Sequence, residues 1–376
     1  MARTGTDVTY TGSLVRSLRT IILLAVSALL AAACSGSEAG KSVAVAAVTT
    51  LPPVTVPPTT TTTSTTTTTT APPTGPPSLL NGLPTAEDAD LARRVIAVKV
   101  DNHPEARPQS GIQDAEAVIE LLVEGGISRF IALFHEADTT YIGPIRSGRP
   151  TDPTLLRSLG ATFQTSGGQS WVLSLINRSG VNLLGEQLPN TFRIPRGGRA
   201  FERTLYGDTT AMRTAADSRG YANDPPPGPW FSFGEPSAAT GTAVEVALTW
   251  SSDWPDVRWE FDGEQYLRFN GDTPHEWVDE EDAGAQIAID TLLVLTAELY
   301  TASPGGGDGT AVPALDTTGS GDAYLFYAGS VVEGTWERES IEDFFTLTTS
   351  DGGEMVLPPG RLWVSVFPAG RAISWE

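Results

Sequence analysis

Between residues 48 and 77 the chain is almost entirely threonine and proline, with an unbroken run from Thr65 to Thr70 and the pairs Pro52-Pro53, Pro57-Pro58 and Pro72-Pro73. So few apolar side chains cannot offset the entropy of ordering the backbone, so this stretch predicts a solvated, partly extended tether with no core of its own. Its hydroxyls are candidate acceptors for O-glycosylation. Everything that folds must therefore come after it, in the near-300 residues that remain. At about 3.1 Å per residue in polyproline geometry, the 44 residues between Cys34 and the first globular residues reach about 130 Å, against roughly 35 to 40 Å as a flexible coil.

Ahead of the tether, a positively charged stretch ending in Arg16 and Arg19 leads into an apolar segment over residues 21–33. A helix needs roughly 20 apolar residues to span about 30 Å of hydrocarbon, so this segment is short for a span and right for a signal-peptide core. It closes on Leu29-Leu30-Ala31-Ala32-Ala33-Cys34, followed by Ser35-Gly36-Ser37. Small residues before a cysteine suit a lipoprotein signal peptidase, although Ala31 replaces the commoner leucine. The expectation is a signal peptide over 1–33 and lipidation (diacylglycerol, palmitate) at Cys34. Membrane lipid would then hold the protein on the extracytoplasmic face of the cell membrane. An uncleaved anchor or an ordinary secretory signal is the alternative. Cys34 is the only cysteine, so no disulfide framework or thiolate metal site competes for it. Firm attachment needs two or more acyl chains.

The formal charge is -21, and because the leader carries +2 the mature chain carries -23. That balance repels nucleic acid and anionic head groups, so no nucleic-acid partner is expected. Of 24 basic residues only Lys41 and Lys99 are lysine, a bias that suits a GC-rich, actinobacterial genome.

Three runs, 94–100, 117–123 and 129–135, have the apolar, β-branched character of buried strands. Residues 154–159, 170–177 and 208–219 read as helices, the last capped by Asp208 or Thr209. The Pro-rich break 224–229 marks a boundary. Beyond it strand patterns dominate, at 244–249, 257–261, 265–269, 287–299, 323–328, 331–336, 344–348 and 362–367. Asp262-Gly263, Asn270-Gly271 and Asp351-Gly352 supply hairpin turns between them. The prediction is an α/β N-terminal globular domain (79–224) followed by a mainly-β C-terminal domain (240–376). Both sit behind a disordered tether over 34–78.

Several blocks carry a resemblance. Asp101-Asn102-His103-Pro104-Glu105-Ala106-Arg107-Pro108-Gln109-Ser110-Gly111, Glu124-Gly125-Gly126-Ile127-Ser128-Arg129-Phe130 and Gly143-Pro144-Ile145-Arg146-Ser147-Gly148-Arg149-Pro150 resemble the signature blocks of the YerB-like lipoprotein family (domain of unknown function 3048). Tyr266-Leu267-Arg268-Phe269, Gly319-Ser320-Gly321 and the closing Pro358-Pro359-Gly360-Arg361-Leu362-Trp363-Val364 are similar to that family's C-terminal part. The resemblance spans nearly everything from Leu79 onward. It implies an envelope location and a two-domain layout, and no reaction.

Function is therefore sought in a cluster of side chains. Asp101, Asn102 and His103 follow the first strand and Glu124 the second, where ligand contacts gather at the carboxyl edge of α/β sheets. Arg129, Arg146 and Arg149, beside Ser147, suit a carboxylate or phosphate because guanidinium forks grip such oxygens. Asn102, Arg107 and Ser166 complete the ligand-binding candidates, Ser166 because Ser166-Gly167-Gly168 follows a strand pattern. Asp101, His103 and Glu124 are candidate acid and base. A structural reading stands beside each. Asp101 and Asn102 would close a turn, His103 before Pro104 would be a turn residue, the arginines would pair internally, and His135 would be structural. The acidic stretch 276–282 and the loop 305–309 read as solvated loops, lacking calcium-loop spacing, and Gly319-Ser320-Gly321 reads as a hairpin turn. No cofactor or metal is expected.

Two function classes stay open. The preferred one is a non-catalytic envelope module that binds a cell-wall glycan, peptide or envelope protein through an anionic group. The alternative is a wall-acting hydrolase or transferase using Asp101, His103, Glu124 and Arg146.

Overall fold

Three central strands are buried at every position: β1 (Ile96–Val100), β2 (Ala117–Leu122) and β3 (Ser128–Phe134). Mostly apolar runs buried at every position belong to strands covered on both faces. In the computed structural model, which describes residues 73–196 and 198–376, these strands form the middle of one large mixed sheet. Cys34, the predicted signal peptide and nearly all of the tether lie outside the described residues. β3 pairs antiparallel with β1 (Val100↔Phe130) and with β2 (Leu121↔Arg129). On the other side of β1, β4 (Thr162–Gln164) and then β5 (Asn182–Leu184) run parallel to it.

Three helices accompany these strands: α1 (Asp152–Leu156), α2 (Ser170–Arg178) and α3 (Thr209–Ser218). The predicted cap of α3 forms, the Asp208 side chain accepting the Ala211 N–H at 3.0 Å. α1 begins ahead of its predicted start because Asp152 and Pro153 occupy its first turn, where proline needs no backbone donor.

Past the Pro-rich break the chain is mainly β, as its texture indicates, and most of its long strands extend the same sheet. Strand Leu362–Pro368 inserts between β2 and strand Thr291–Ala297, parallel to both (Ile119↔Val364, Leu293↔Val364). Strands Gly319–Tyr327, Ser330–Arg338 and Thr346–Thr349 continue antiparallel to the edge. The α/β and mainly-β segments anticipated as 79–224 and 240–376 thus share one hydrogen-bonded ladder of eleven strands. Parallel pairing between strands so far apart in sequence leaves no local turn signal, so nothing near residue 362 announces it.

A second, six-stranded sheet is built mainly from Glu245–Leu248, Val257–Phe261, Tyr266–Asn270 and Ile373–Trp375. Its strands bury alternate residues, as a sheet with one wet face does. Trp259 of this sheet meets Trp363 of the large sheet edge to face, ring centres 5.2 Å apart. Val246, Trp259 and Tyr266 join Ile96, Val98 and Phe130 in one core cluster. The opposite face of the large sheet is covered by Leu155, Val172, Ile176, Trp230 and Leu347. Each such fully buried side chain contributes roughly 1.5–3 kcal/mol.

Gly319-Ser320-Gly321 is strand, not the expected hairpin turn, and pairs with Arg338, Glu337 and Trp336. The glycine has a packing reason: a Cβ on Gly321 would run into the Thr296 carbonyl and the Trp336 indole. Among the described residues no helix is long and apolar enough to cross a membrane.

Candidate functional site

β1 and β2 end, and β3 begins, at the same edge of the sheet, and β4 ends there too. This register brings Asp101, Glu124, Arg129 and Ser166 together, and the loop bearing Arg146, Ser147 and Arg149 closes over them. Arg146 N–H donates to Lys99 O at 2.9 Å, and Ser166 N–H to Arg146 O at 3.1 Å. The Ser147 and Ser166 hydroxyls lie 3.5 Å apart.

Asp101 is the centre of this edge, 1% exposed. Three guanidinium Nε atoms surround its carboxylate: Arg146 at 3.1 Å, Arg203 at 3.7 Å and Arg129 at 4.0 Å. Its Oδ1 also accepts the His103 N–H at 3.2 Å, so Asp101 closes the turn as well. Arg149 Nε donates to Glu124 Oε2 at 2.6 Å. Burial alone would raise the Glu124 pKa, but Arg149 outweighs it and holds the carboxyl below its ordinary value. Arg129 donates to Ser147 O at 2.9 Å, and burial, reinforced by Arg149, lowers its pKa to about 10.

The charges do not balance locally. Arg203 also reaches Glu105 at 2.8 Å and Glu202 at 3.6 Å, but these side chains are 67% and 48% exposed, where water screens such pairs. Behind the edge, buried Lys99 and Asp152 neutralise each other at 2.6 Å; burial still lowers the lysine pKa to about 8. Arg146 keeps only its Nε bond to Asp101, and its terminal amino groups have no protein partner among the described residues.

His103 caps a single turn, its Nδ1 accepting the Glu105 N–H at 3.2 Å. That bond leaves the proton on Nε2, and burial, aided by Arg203, holds the ring below its ordinary pKa. His135 lies apart from the edge and donates from Nε2 to Leu91 O and Arg93 O at 3.1 and 3.0 Å. The remaining predicted residues, Asn102 and Arg107, belong to a second assembly.

That assembly is a ring of side chains linking both segments. Asn102 donates to Ser128 (2.9 Å), and Ser128 to Glu120. Arg268 donates to Glu120 at 2.7 Å and to His275 Nδ1. His275 Nε2 donates to Gln109 Oε1 at 2.8 Å, and Gln109 returns to Asn102 Oδ1 at 3.2 Å. Burial, then the charges of Arg268 and Arg107, hold His275 neutral, well below its ordinary pKa. Arg268 is fully buried among Phe130, Trp363 and Trp259, whose ring centres lie 5.2, 5.4 and 5.6 Å from its Cζ. Arg107 lies at the mouth, donating from Nε to Asn102 Oδ1 and from Nη2 to Asn102 O, both at 3.0 Å.

Sequence reading missed Arg203, Glu120, Gln109, Arg268 and His275 as site residues. A signal was present for one: Glu120, like Lys99, is a lone charge inside an apolar strand, a placement stable only with a buried partner. Residues 276–282 form part of a hairpin, Glu276–Val278 pairing with Gly284–Gln286, and the 305–309 loop is exposed. Among the described residues, no three or more His, Cys, Asp or Glu side chains group as a metal site.

One mixed sheet shared by an α/β segment and a mainly-β segment, with arginines gathered at its carboxyl edge, defines a class of two-segment proteins. The chain belongs to the YerB-like family. Residues 80–222 match the family described as protein of unknown function (DUF3048) N-terminal domain, and residues 244–364 match its C-terminal domain. It is similar to YerB of Bacillus subtilis (strain 168), a protein named as a candidate lipoprotein, at 23% identity over 291 residues, covering 77% of this chain and 85% of that one. The crystal structure of the YerB protein from Bacillus subtilis has the same fold, with a TM-score of 0.67 and 24% identity over 80% of this chain and all of that one.

Proposed function

We propose that this protein is a lipoprotein, anchored through Cys34 on the extracytoplasmic face of the membrane, whose head binds an anionic component of the cell envelope. The supporting observation is Arg146, tied down through Nε alone with its terminal amino groups without a partner among the described residues, in a cluster where four arginines share the buried Asp101 and the partly exposed Glu124. A guanidinium pre-oriented this way loses little entropy on gripping a carboxylate or phosphate. In a chain of net charge -21, such a cluster gives an anion a local site that the molecule otherwise repels.

A hydrolase or transferase would need a free base at this edge. Asp101 is enclosed by arginines, Glu124 is paired with Arg149, and the basic nitrogen of His103 is spent on its cap, which favours binding over catalysis.

The test uses the full chain carrying Cys34→Ser, so that it is soluble, sedimented with purified wall sacculi. The wild-type head should co-sediment, and Arg146→Gln should weaken retention at least tenfold without releasing soluble fragments. Fragment release that disappears in Glu124→Gln would overturn the binding reading in favour of an enzyme.

A further inference from the structure

Between the two segments lies an open cleft of about 450 Å³, within the ~300–1,000 Å³ usual for small-ligand sites. The N-terminal segment contributes Asn102, Pro104 and Arg107 to it, and the C-terminal segment contributes Trp250, Trp254 and Thr273. Trp254 is 36% exposed yet not loose, since its indole N–H donates to Gly125 O at 2.7 Å and His103 packs edge-on with ring centres 6.1 Å apart. Gly126 keeps this loop close: a Cβ there would strike the Ser251 side chain, and its φ of +72° suits only glycine. The second indole, Trp250, is 3% exposed, and its N–H has no hydrogen-bond partner. Trp254, held in place over the buried Trp250 wall of the cleft and beside prolines, offers a stacking face with little rotamer entropy left to lose.

The polar side of the cleft carries one cation, Arg107, with the exposed Glu276 carboxylate also on its lining. Arg107 is half buried, is oriented by two bonds to Asn102, and has no carboxylate within 4.0 Å among the described residues. Its charge faces that of Arg268 across the ring, and burial together with that repulsion lowers its pKa to about 10. An anion arriving at Arg107 would relieve both costs at once.

We propose that this cleft is a binding site, separate from the arginine cluster around Asp101, for a sugar ring that carries a carboxylate. The apolar C–H face of the ring stacks on the Trp254 indole, the Thr273 hydroxyl and Asn270 amide take ring hydroxyls, and Arg107 takes the carboxylate. This rests on the reading of the head as a wall-binding module and names the ligand class for it. The two sites are separable by mutation, because no residue lines both.

N-acetylmuramic acid and N-acetylglucosamine make a matched pair of probes, differing only by the lactyl ether that bears the carboxylate. Binding of each to the full chain carrying Cys34→Ser is measured by calorimetry and by saturation-transfer NMR. N-acetylmuramic acid should bind at least tenfold more tightly than N-acetylglucosamine. Arg107→Gln should bring the two sugars level, and Trp254→Ala should weaken both about tenfold while far-ultraviolet circular dichroism shows the fold retained. Arg146→Gln, which tests the anion cluster, should change neither. The proposal is overturned by equal affinity for the two sugars, by no saturation transfer from either, by affinity unaffected in Trp254→Ala, or by tighter binding of a proline-rich peptide that competes for the same cleft. If Arg146→Gln abolishes sacculus retention while sugar binding is absent, the cleft proposal fails and the anion reading stands; the reverse pattern fails the anion reading alone.

Discussion

Arg268→Met removes a cation that no water reaches. Arg268 and Glu120 are both 0% exposed, and the guanidinium lies 2.7 Å from Glu120 Oε1. Once it is gone, the Glu120 carboxylate keeps only the Trp363 indole N–H, at 2.9 Å, and the Ser128 hydroxyl. Breaking a buried pair from one side costs about 3–5 kcal/mol, because the surviving charge stays desolvated. The methionine fills part of the volume among Phe130, Trp259 and Trp363, so packing adds little to that figure. Adding Glu120→Gln in the same chain removes the stranded charge, and the double variant should recover about 1–2 kcal/mol of the loss. Equilibrium urea unfolding of the Cys34→Ser background, followed by tryptophan fluorescence and far-ultraviolet circular dichroism, measures both. Glu120 is on β2 and Arg268 on the second sheet, so both probes should shift together in one transition. A loss under about 1 kcal/mol would refute the energetic reasoning. Two transitions, only one of which moves, would refute the view that the shared ladder makes the two segments one cooperative unit.

Glu116 gives a pH signature. Burial raises its pKa to about 7 even though it accepts the N–H groups of His135, Glu136 and Ala137. A carboxyl whose folded pKa exceeds its unfolded value of about 4.5 stabilises the fold fully below pH ~4.5, and that contribution is lost as pH rises to about 7. Wild-type stability measured by urea unfolding should therefore fall by roughly 1–3 kcal/mol across that window, and Glu116→Gln should flatten the slope. Asp101→Asn should lower the melting temperature by leaving Arg129, Arg146 and Arg203 unneutralised, and ~10 mM phosphate should restore more of it in the variant than in the wild type. Thermal denaturation with and without phosphate checks this, and equal phosphate shifts would count against an anion site. Gly321→Ala should cost more than about 2 kcal/mol in urea unfolding, because the added methyl meets a strand carbonyl rather than a flexible side chain.

Much of the fold is legible residue by residue. The runs at 94–100, 117–123 and 129–135 become β1, β2 and β3 within a residue or two, and 257–261 becomes a strand with the same limits. Those patterns arise from burial, which acts on each strand through its own composition. The edge cluster is partly legible for the same reason, since strand ends put Asp101, Glu124 and Arg129 at one margin. Arg203 was not, because it arrives from a short 3-10 turn, Phe201–Arg203, with no periodicity to place it. Gly319-Ser320-Gly321 misled because a glycine required by close packing looks the same in sequence as one required by a turn.

The sequence by itself determined the layout along the chain: a short apolar run ending at a lone cysteine, a Thr/Pro stretch too poor in apolar side chains for a core, and an acidic remainder whose strands and the Asp208 helix cap are written locally. Composition and short-range periodicity suffice for this because each property depends on residues near one another in the chain. Only the tertiary structure decided that strand Leu362–Pro368 lies between β2 and Thr291–Ala297, joining both segments in one sheet. The same pairing brings Arg268 and His275 to Glu120 and Gln109, and Trp254 to Arg107, so that the buried ring and the cleft come into being together. These contacts follow from backbone hydrogen bonds between residues far apart in sequence, and the free energy that selects them is shared over the whole interface and carried by no single motif.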